Sequence, residues 1–226
     1  MIKLFVYKID DNKEDILLAK MSLLSSDEKE KVERYKYNKD RVRSLIGRLM
    51  LLSFADRYTD ERYSEVNFLS DDEDLIKENA ADITIAYDEI GKGRITNRDG
   101  VFYNISHSKD YVVLALSDGE VGADIQEIKP LKANIPQRFF HAKDIEYIYS
   151  NEDGAIERFT YVWCIKESYS KLTGRGISEG FATFYEDFDK KTVINAQTGE
   201  TKAEFKEYDI DSNYKLAVSF YGIKGA

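Results

Sequence analysis

Residues 111–128, YVVLALSDGEVGADIQEI, constrain the fold more than any other stretch. Two apolar runs flank Asp118-Gly119, a dipeptide suited to the left-handed backbone of a tight turn. The stretch is expected to form a hairpin of two strands. Side chains alternate across a strand, so Val121, Ala123 and Ile125 share one face. Asp124 and Gln126 then stand side by side on the other.

The rest of the chain supplies both strands and helices. IKLFVYKI at 2–9 alternates and reads as a strand. Ser25 precedes Glu28 by three residues, a capping-box spacing that predicts a helix from about Ser26. A second helix is expected over roughly 40–58, with Val42, Leu45, Ile46, Leu49 and Leu52 along its core face. Arg41, Ser44 and Arg48 fall on another face of it. Residues 59–100 are polar and mixed, with turn signals at Gly91, Gly93 and Asp99-Gly100. VFYNISHS at 101–108 is a strand with a polar end. Helices are expected over about 136–149 and 155–173, the latter stopped by Gly174 or Gly176. The tail alternates again in four short runs, as strands of a mostly antiparallel sheet do.

Strand, helices and strands thus occur once in each half, which allows an α+β fold built either as one large domain or from a duplicated unit, though the letters repeat too weakly to establish duplication. The 226 residues allow two halves, divided as 1–108 and 109–226. Only two prolines occur and no low-complexity linker separates the halves. One cysteine, Cys164, excludes an intramolecular disulfide. The apolar run at the N-terminus is too short for a signal peptide, and no stretch approaches the roughly 20 apolar residues of a membrane span. A soluble, reducing, cytoplasmic setting is expected.

A net charge of −9 argues against nucleic acid as a partner. Yet Lys29, Lys31, Arg34, Lys36, Lys39, Arg41, Arg43 and Arg48 crowd one segment, with only Glu30, Glu33 and Asp40 between them. Such a segment fits a local anion site, and equally a solvated helix of mixed charge.

Several side chains suggest chemistry. Asp124, Gln126 and Glu167 offer oxygen atoms of the kind Mg²⁺ prefers. By themselves they also read as a salt-bridged strand residue, its neighbour and a helix-surface carboxylate. Phe159, Trp163, Glu167 and Lys171 lie four apart on one helical stripe. Glu167 and Lys171 make either a modest surface ion pair or a base and a cation facing a ligand. Lys166, Arg175 and the backbone around Gly174-Arg175-Gly176 are further candidates for holding phosphate. His107, between Ser106 and Ser108, is a candidate phosphate donor. No His cluster, cysteine pair or GxxxxGK[ST] occurs, which excludes the usual zinc and P-loop arrangements.

The order of these pieces resembles the 4′-phosphopantetheinyl transferases of the surfactin-synthetase (Sfp) type. FYNISHS, VGADIQ and WCIKESYSKLTGRGIS are similar to three of that family's motifs. SSDEKEKVERYKYNKDRVRSLIGR and GKGRI resemble two segments upstream of them. The resemblance implies a pseudo-dimer of two α+β halves with coenzyme A in a cleft between them, and hence a monomer. It implies transfer of phosphopantetheine from coenzyme A to a serine of an apo acyl or peptidyl carrier protein. Mg²⁺, with Mn²⁺ as an alternative, would be held by Asp124, Gln126 and Glu167. Glu167 would take the serine proton, and Lys171 would stabilise the phosphates. Lys31, Arg43, Ser44, Lys92, Ser106, His107 and Lys166 would contact coenzyme A. The carrier would dock near residues 128–141, on Lys129, Lys132, Arg138, Phe139 and Phe140. Two positions depart from the family pattern: Gln126 stands where an acidic ligand is common, and Glu28 where relatives often carry a basic one. Gln126 leaves open a second reading, a coenzyme A-binding scaffold that has lost catalysis.

Overall fold

The computed structural model describes residues 1–69, 82–130, 134–176 and 180–222. The chain divides into two compact units, Met1–Ala86 with Gly93–Asp118, and Tyr87–Lys92 with Gly119–Ala226.

The first unit begins with β1 (Ile2–Lys8), followed by α1 (Glu14–Ala19), α2 (Ser26–Glu33) and α3 (Asn38–Phe54). Strands β2 (Val66–Leu69), β3 (Ile85–Tyr87), β4 (Gly93–Ile95), β5 (Phe102–Ser108) and β6 (Tyr111–Ser117) come next. The sheet order is β2-β1-β6-β5, and β3 and β4 form a separate ribbon. Strand β2 runs parallel to β1, a pairing that needs a crossover, and α1–α3 supply it. Helix α2 starts where its cap predicts: Ser25 Oγ accepts from the Glu28 backbone N–H at 3.4 Å. Helix α3 buries Val42, Leu45, Ile46 and Leu49 as its spacing requires. Phe5, Phe54 and Tyr63 form an aromatic cluster, with Phe5 and Phe54 stacked at 4.2 Å.

The expected hairpin is not formed. Strand β6 lies between β1 and β5, whereas β7 (Val121–Glu127) belongs to the other sheet and pairs with β11. All seven residues of β6 are buried, and both its edges are filled. An Asp-Gly pair favours a turn, but which strand it returns to depends on which edge is open. Asp118 instead accepts from the Met1 ammonium at 2.8 Å. The tight hairpin comes one turn earlier, with Ser108 opposite Tyr111 and Lys109 at φ 47°. The division between units therefore falls after Asp118 and not after residue 108, and residues 87–92 group with the second unit.

The second unit continues from β7 through α4 (Ile135–Phe139), α5 (Ala142–Ile148) and α6 (Ala155–Thr173). Strands β8 (Phe184–Asp187), β9 (Thr192–Asn195), β10 (Thr201–Tyr208) and β11 (Tyr214–Phe220) complete it. The sheet is antiparallel in the order β7-β11-β10-β9-β8. One helix was expected over 136–149, and two are found. Phe140 is extended (φ −99°, ψ 158°) and turns its ring into the core, 5.9 Å from Phe159. His141 Nδ1 then caps α5 by accepting from the Lys143 N–H at 3.2 Å. Helix α6 has its expected bounds, with Gly174 closing it at φ 71°.

Each unit pairs its first strand antiparallel with its last over seven residues, Ile2–Lys8 with Tyr111–Ser117 and Val121–Glu127 with Tyr214–Phe220. The repeated plan of the sequence is thus repeated in this pairing, but the sheets differ: β1 also carries the parallel β2 on its other side, whereas β7 is an edge strand.

In the second unit, α6 packs on β7 and β11. The approach to β7 is very close: a Cβ on Gly122 would lie 2.0 Å from Ser168 O and 2.4 Å from Leu172 N. Both are backbone atoms and cannot rotate away. Gly122→Ala is expected to destabilise the protein by about 1–3 kcal/mol or more, as overpacking does. Chemical denaturation measures this, and an unchanged midpoint would mean that the helix does not rest on the strand here.

Candidate active site

The contact made at Gly122 brings the middle of β7 against the last turns of α6. Asp124, two residues along β7, is buried at 3% exposure. Its Oδ1 accepts from Lys171 Nζ at 2.7 Å, and its Oδ2 accepts from Gln126 Nε2 at 2.9 Å. Lys171 also donates to Ala123 O at 3.0 Å. The alternation of β7 therefore places Asp124 and Gln126 together as expected. The four-residue spacing of α6 does not produce a Glu167–Lys171 pair, because Lys171 reaches across to Asp124.

Glu167 lies one turn before Lys171, half-buried, with no hydrogen bond or ion pair to another described residue. Burial pushes its carboxyl pKa up, the Asp124 charge adds to this, and Lys171 opposes it. Trp163, one turn before Glu167, stacks obliquely on Phe159 at 6.0 Å. Both line an open recess with Ile135, Pro130 and Gln126.

Asp124, Gln126 and Glu167 form an all-oxygen donor set, which suits a hard cation such as Mg²⁺. Glu167 supports the fit: a half-buried carboxylate without a donor, beside a second carboxylate, is stabilised by a cation. The set is sparse, since among the described residues no three His, Cys, Asp or Glu side chains gather at a metal-sized site.

The expected coenzyme A residues of the first unit fall into two groups. Glu28 accepts from Lys31 Nζ and from Arg48 Nε, each at 2.7 Å, and Arg48 also donates to Ser44. Ser44 is buried at 5% exposure. Glu28 thus holds two of the segment's cations. Arg43 pairs with Asp40 at 2.7 Å and donates through Nε to Lys109 O, also at 2.7 Å. This sets Arg43 at the end of β5 that carries His107. Ser106 is buried and lies opposite Val113, with the half-buried His107 opposite Val112.

Lys92 and Lys166 are both engaged by groups of the second unit. Lys92 belongs to the second unit, where Nζ donates to Leu172 O and to Glu120, each at 2.6 Å. Its ammonium caps the carbonyl end of α6, a favourable place for a cation. Lys166 is fully buried, paired with Asp144 at 2.8 Å and Glu186 at 3.2 Å, and donates to Phe181 O at 3.1 Å. Burial holds the Glu186 carboxyl well above its usual range, with Lys166 opposing and Asp144 adding to the shift. Lys166 is therefore a core cation and not a ligand contact. Residues 144 and 186 lie 22 and 20 positions from Lys166, so no local spacing signalled them. Arg175 is exposed, beyond the end of α6.

Two family models match the chain. The 4′-phosphopantetheinyl transferase superfamily model matches residues 120–220, and the 4′-phosphopantetheinyl transferase N-terminal model matches residues 11–119. The matches meet beside Asp118, where the structure divides the chain. The 4′-phosphopantetheinyl transferase ffp of Bacillus subtilis is 29% identical over 201 residues, covering 88% of this chain and 82% of its own. The 4′-phosphopantetheinyl transferase Sfp of Bacillus subtilis (strain 168) is 27% identical, with the same coverage. The 4′-phosphopantetheinyl transferase psf-1 of Bacillus pumilus is 35% identical over 131 residues, 57% of this chain and 56% of its own. Matched along nearly its whole length, with Asp124, Glu167 and Lys171 assembled between β7 and α6, the chain belongs to the 4′-phosphopantetheinyl transferase superfamily and is of the Sfp type.

Proposed function

We propose that this enzyme transfers 4′-phosphopantetheine from coenzyme A to a serine hydroxyl of an apo acyl or peptidyl carrier protein. Adenosine 3′,5′-bisphosphate leaves. The observation that carries the reading is the grouping of Asp124, Lys171 and Glu167 on facing sides of β7 and α6, beside an amide oxygen donor.

The serine oxygen attacks the phosphorus that bears the pantetheine. The bond from that phosphorus to the bridging oxygen breaks, and the electron pair leaves on the adenosine-side phosphate. Phosphoryl transfer of this kind depends on positioning and charge neutralisation. Glu167 accepts the serine proton as general base. Lys171, held over β7 by Ala123 O and Asp124, brings one positive charge to the phosphates. Asp124, Gln126 and Glu167 would hold Mg²⁺, which when bound neutralises charge on the pyrophosphate. Arg43, Lys31 and His107 are assigned to the adenosine and 3′-phosphate end. Asp124, Glu167 and Lys171 are all retained, which counts against the reading as a catalytically impaired scaffold.

Incubation with coenzyme A, Mg²⁺ and an apo carrier tests this, with the carrier weighed by mass spectrometry. A gain of one phosphopantetheine is expected. Coenzyme A binding without transfer to any of several carriers would favour the scaffold instead.

For the carrier surface, Phe139 is 48% exposed and Arg138 lies over its ring at 5.3 Å. Lys129 is paired with Glu127, Phe140 is core, and Lys132 lies outside the described residues. An exposed aromatic beside a guanidinium suits an acidic, partly apolar helix. Arg138→Glu with Phe139→Ala is expected to raise KM for the carrier about ten-fold or more while leaving KM for coenzyme A unchanged. Steady-state kinetics with each substrate varied separates the two.

A further inference from the structure

Both carboxylate oxygens of Asp124 are engaged, Oδ1 by Lys171 and Oδ2 by Gln126. The partners differ in freedom. The Asp124 side chain is 4% exposed, whereas that of Lys171 is 30% exposed on a flexible four-carbon stem. Lys171 can therefore leave Asp124, but Asp124 cannot leave its site. The charges also matter. Asp124 and Glu167 carry two negative charges, Lys171 carries one positive charge, and Gln126 carries none. No third His, Cys, Asp or Glu joins them in a group that could hold a metal, among the described residues.

We propose that Lys171 is the resident cation of Asp124 and that a divalent ion enters only together with the substrate's pyrophosphate, which draws Lys171 off the carboxylate. This deepens the transferase reading and rests on it. A divalent ion arriving alone meets a carboxylate already paired, and two cations on one buried carboxylate repel at close range. A metal–pyrophosphate complex brings its own negative charge and gives the ammonium a new, charge-assisted acceptor. Gln126 sharpens the order, because an acidic residue there would restore enough charge to hold the free ion.

The test is Mn²⁺ binding to the full chain without coenzyme A, followed by paramagnetic resonance of the free ion. Lys171→Met is expected to bind Mn²⁺ at least about ten-fold tighter than the wild type, as removal of one nearby like charge does. A lysine that served only the phosphates would leave this affinity unchanged, and an unchanged or weaker affinity overturns the proposal. The wild-type chain gives a second readout that needs no variant. Acylation of Lys171 by an N-hydroxysuccinimide ester, read by peptide mass spectrometry, is expected to be unaffected by Mn²⁺ alone. It is expected to change when Mn²⁺ and coenzyme A are added together. A change caused by Mn²⁺ alone overturns the proposed order. Carrier modification by the wild-type protein tests the transferase reading separately: with transfer intact and the metal result negative, only the handover falls.

Discussion

Glu167→Gln is expected to lower kcat for phosphopantetheine transfer by about 10²–10⁴-fold, the usual worth of a positioned general base. The substitution keeps side-chain size and the helix that carries it. It removes the group assigned to take the serine proton. The thermal midpoint is expected to stay level or rise, because a half-buried carboxylate with no donor beside Asp124 is lost. Loss of rate without loss of stability is the signature that matters: it separates chemistry from folding. Asp124→Ala should also abolish transfer, but for a mixed reason, since it leaves Lys171 and Gln126 without their shared acceptor. Full rate in both variants would remove Asp124 and Glu167 from the mechanism.

Lys166→Ala is expected to destabilise the protein by about 3–5 kcal/mol, the range for breaking a buried ion pair from one side. Lys166 holds Asp144 and Glu186 at 2.8 and 3.2 Å in a site with no solvent exposure. Its ammonium also sits over the rings of Phe184 at 4.5 Å and Phe140 at 5.2 Å. Removing it strands acidic groups in an apolar core. Replacing Lys166, Asp144 and Glu186 together by apolar residues of similar volume should recover most of the loss, because all the buried charges then disappear at once. Urea denaturation of the single and triple variants decides this. A lysine that contacted coenzyme A would behave in the opposite way, with stability unchanged and KM for coenzyme A raised.

The elements near the site were legible because their signals are local. Ser25 three residues before Glu28 marked the start of α2, and the glycine after Thr173 marked the end of α6. Caps, turn residues and apolar periodicity each act within a few residues of chain. The two-residue period of a strand likewise placed Asp124 beside Gln126. Where the sequence misled, a partner lay far away. Asp118-Gly119 was a sound turn signal, but the strand after it joins another sheet because β1 and β5 already fill both edges of β6. Phe140 ended α4 early because its ring is drawn into a cluster with Phe159, Trp163 and Phe181.

The sequence by itself determined the kinds of element, their order, the stripe that carries Glu167 and Lys171, and the motifs that mark the family. Only the tertiary structure decided which charges meet. Lys171 pairs with Asp124, 47 residues away, and not with Glu167, four away. Lys166, adjacent to Glu167 in the chain, faces the core, and Glu28 takes up Lys31 and Arg48. Ion pairs form between groups that packing brings together. At this site the approach is made by Gly122, whose missing side chain lets α6 settle on β7 and carry Lys171 to the carboxylate.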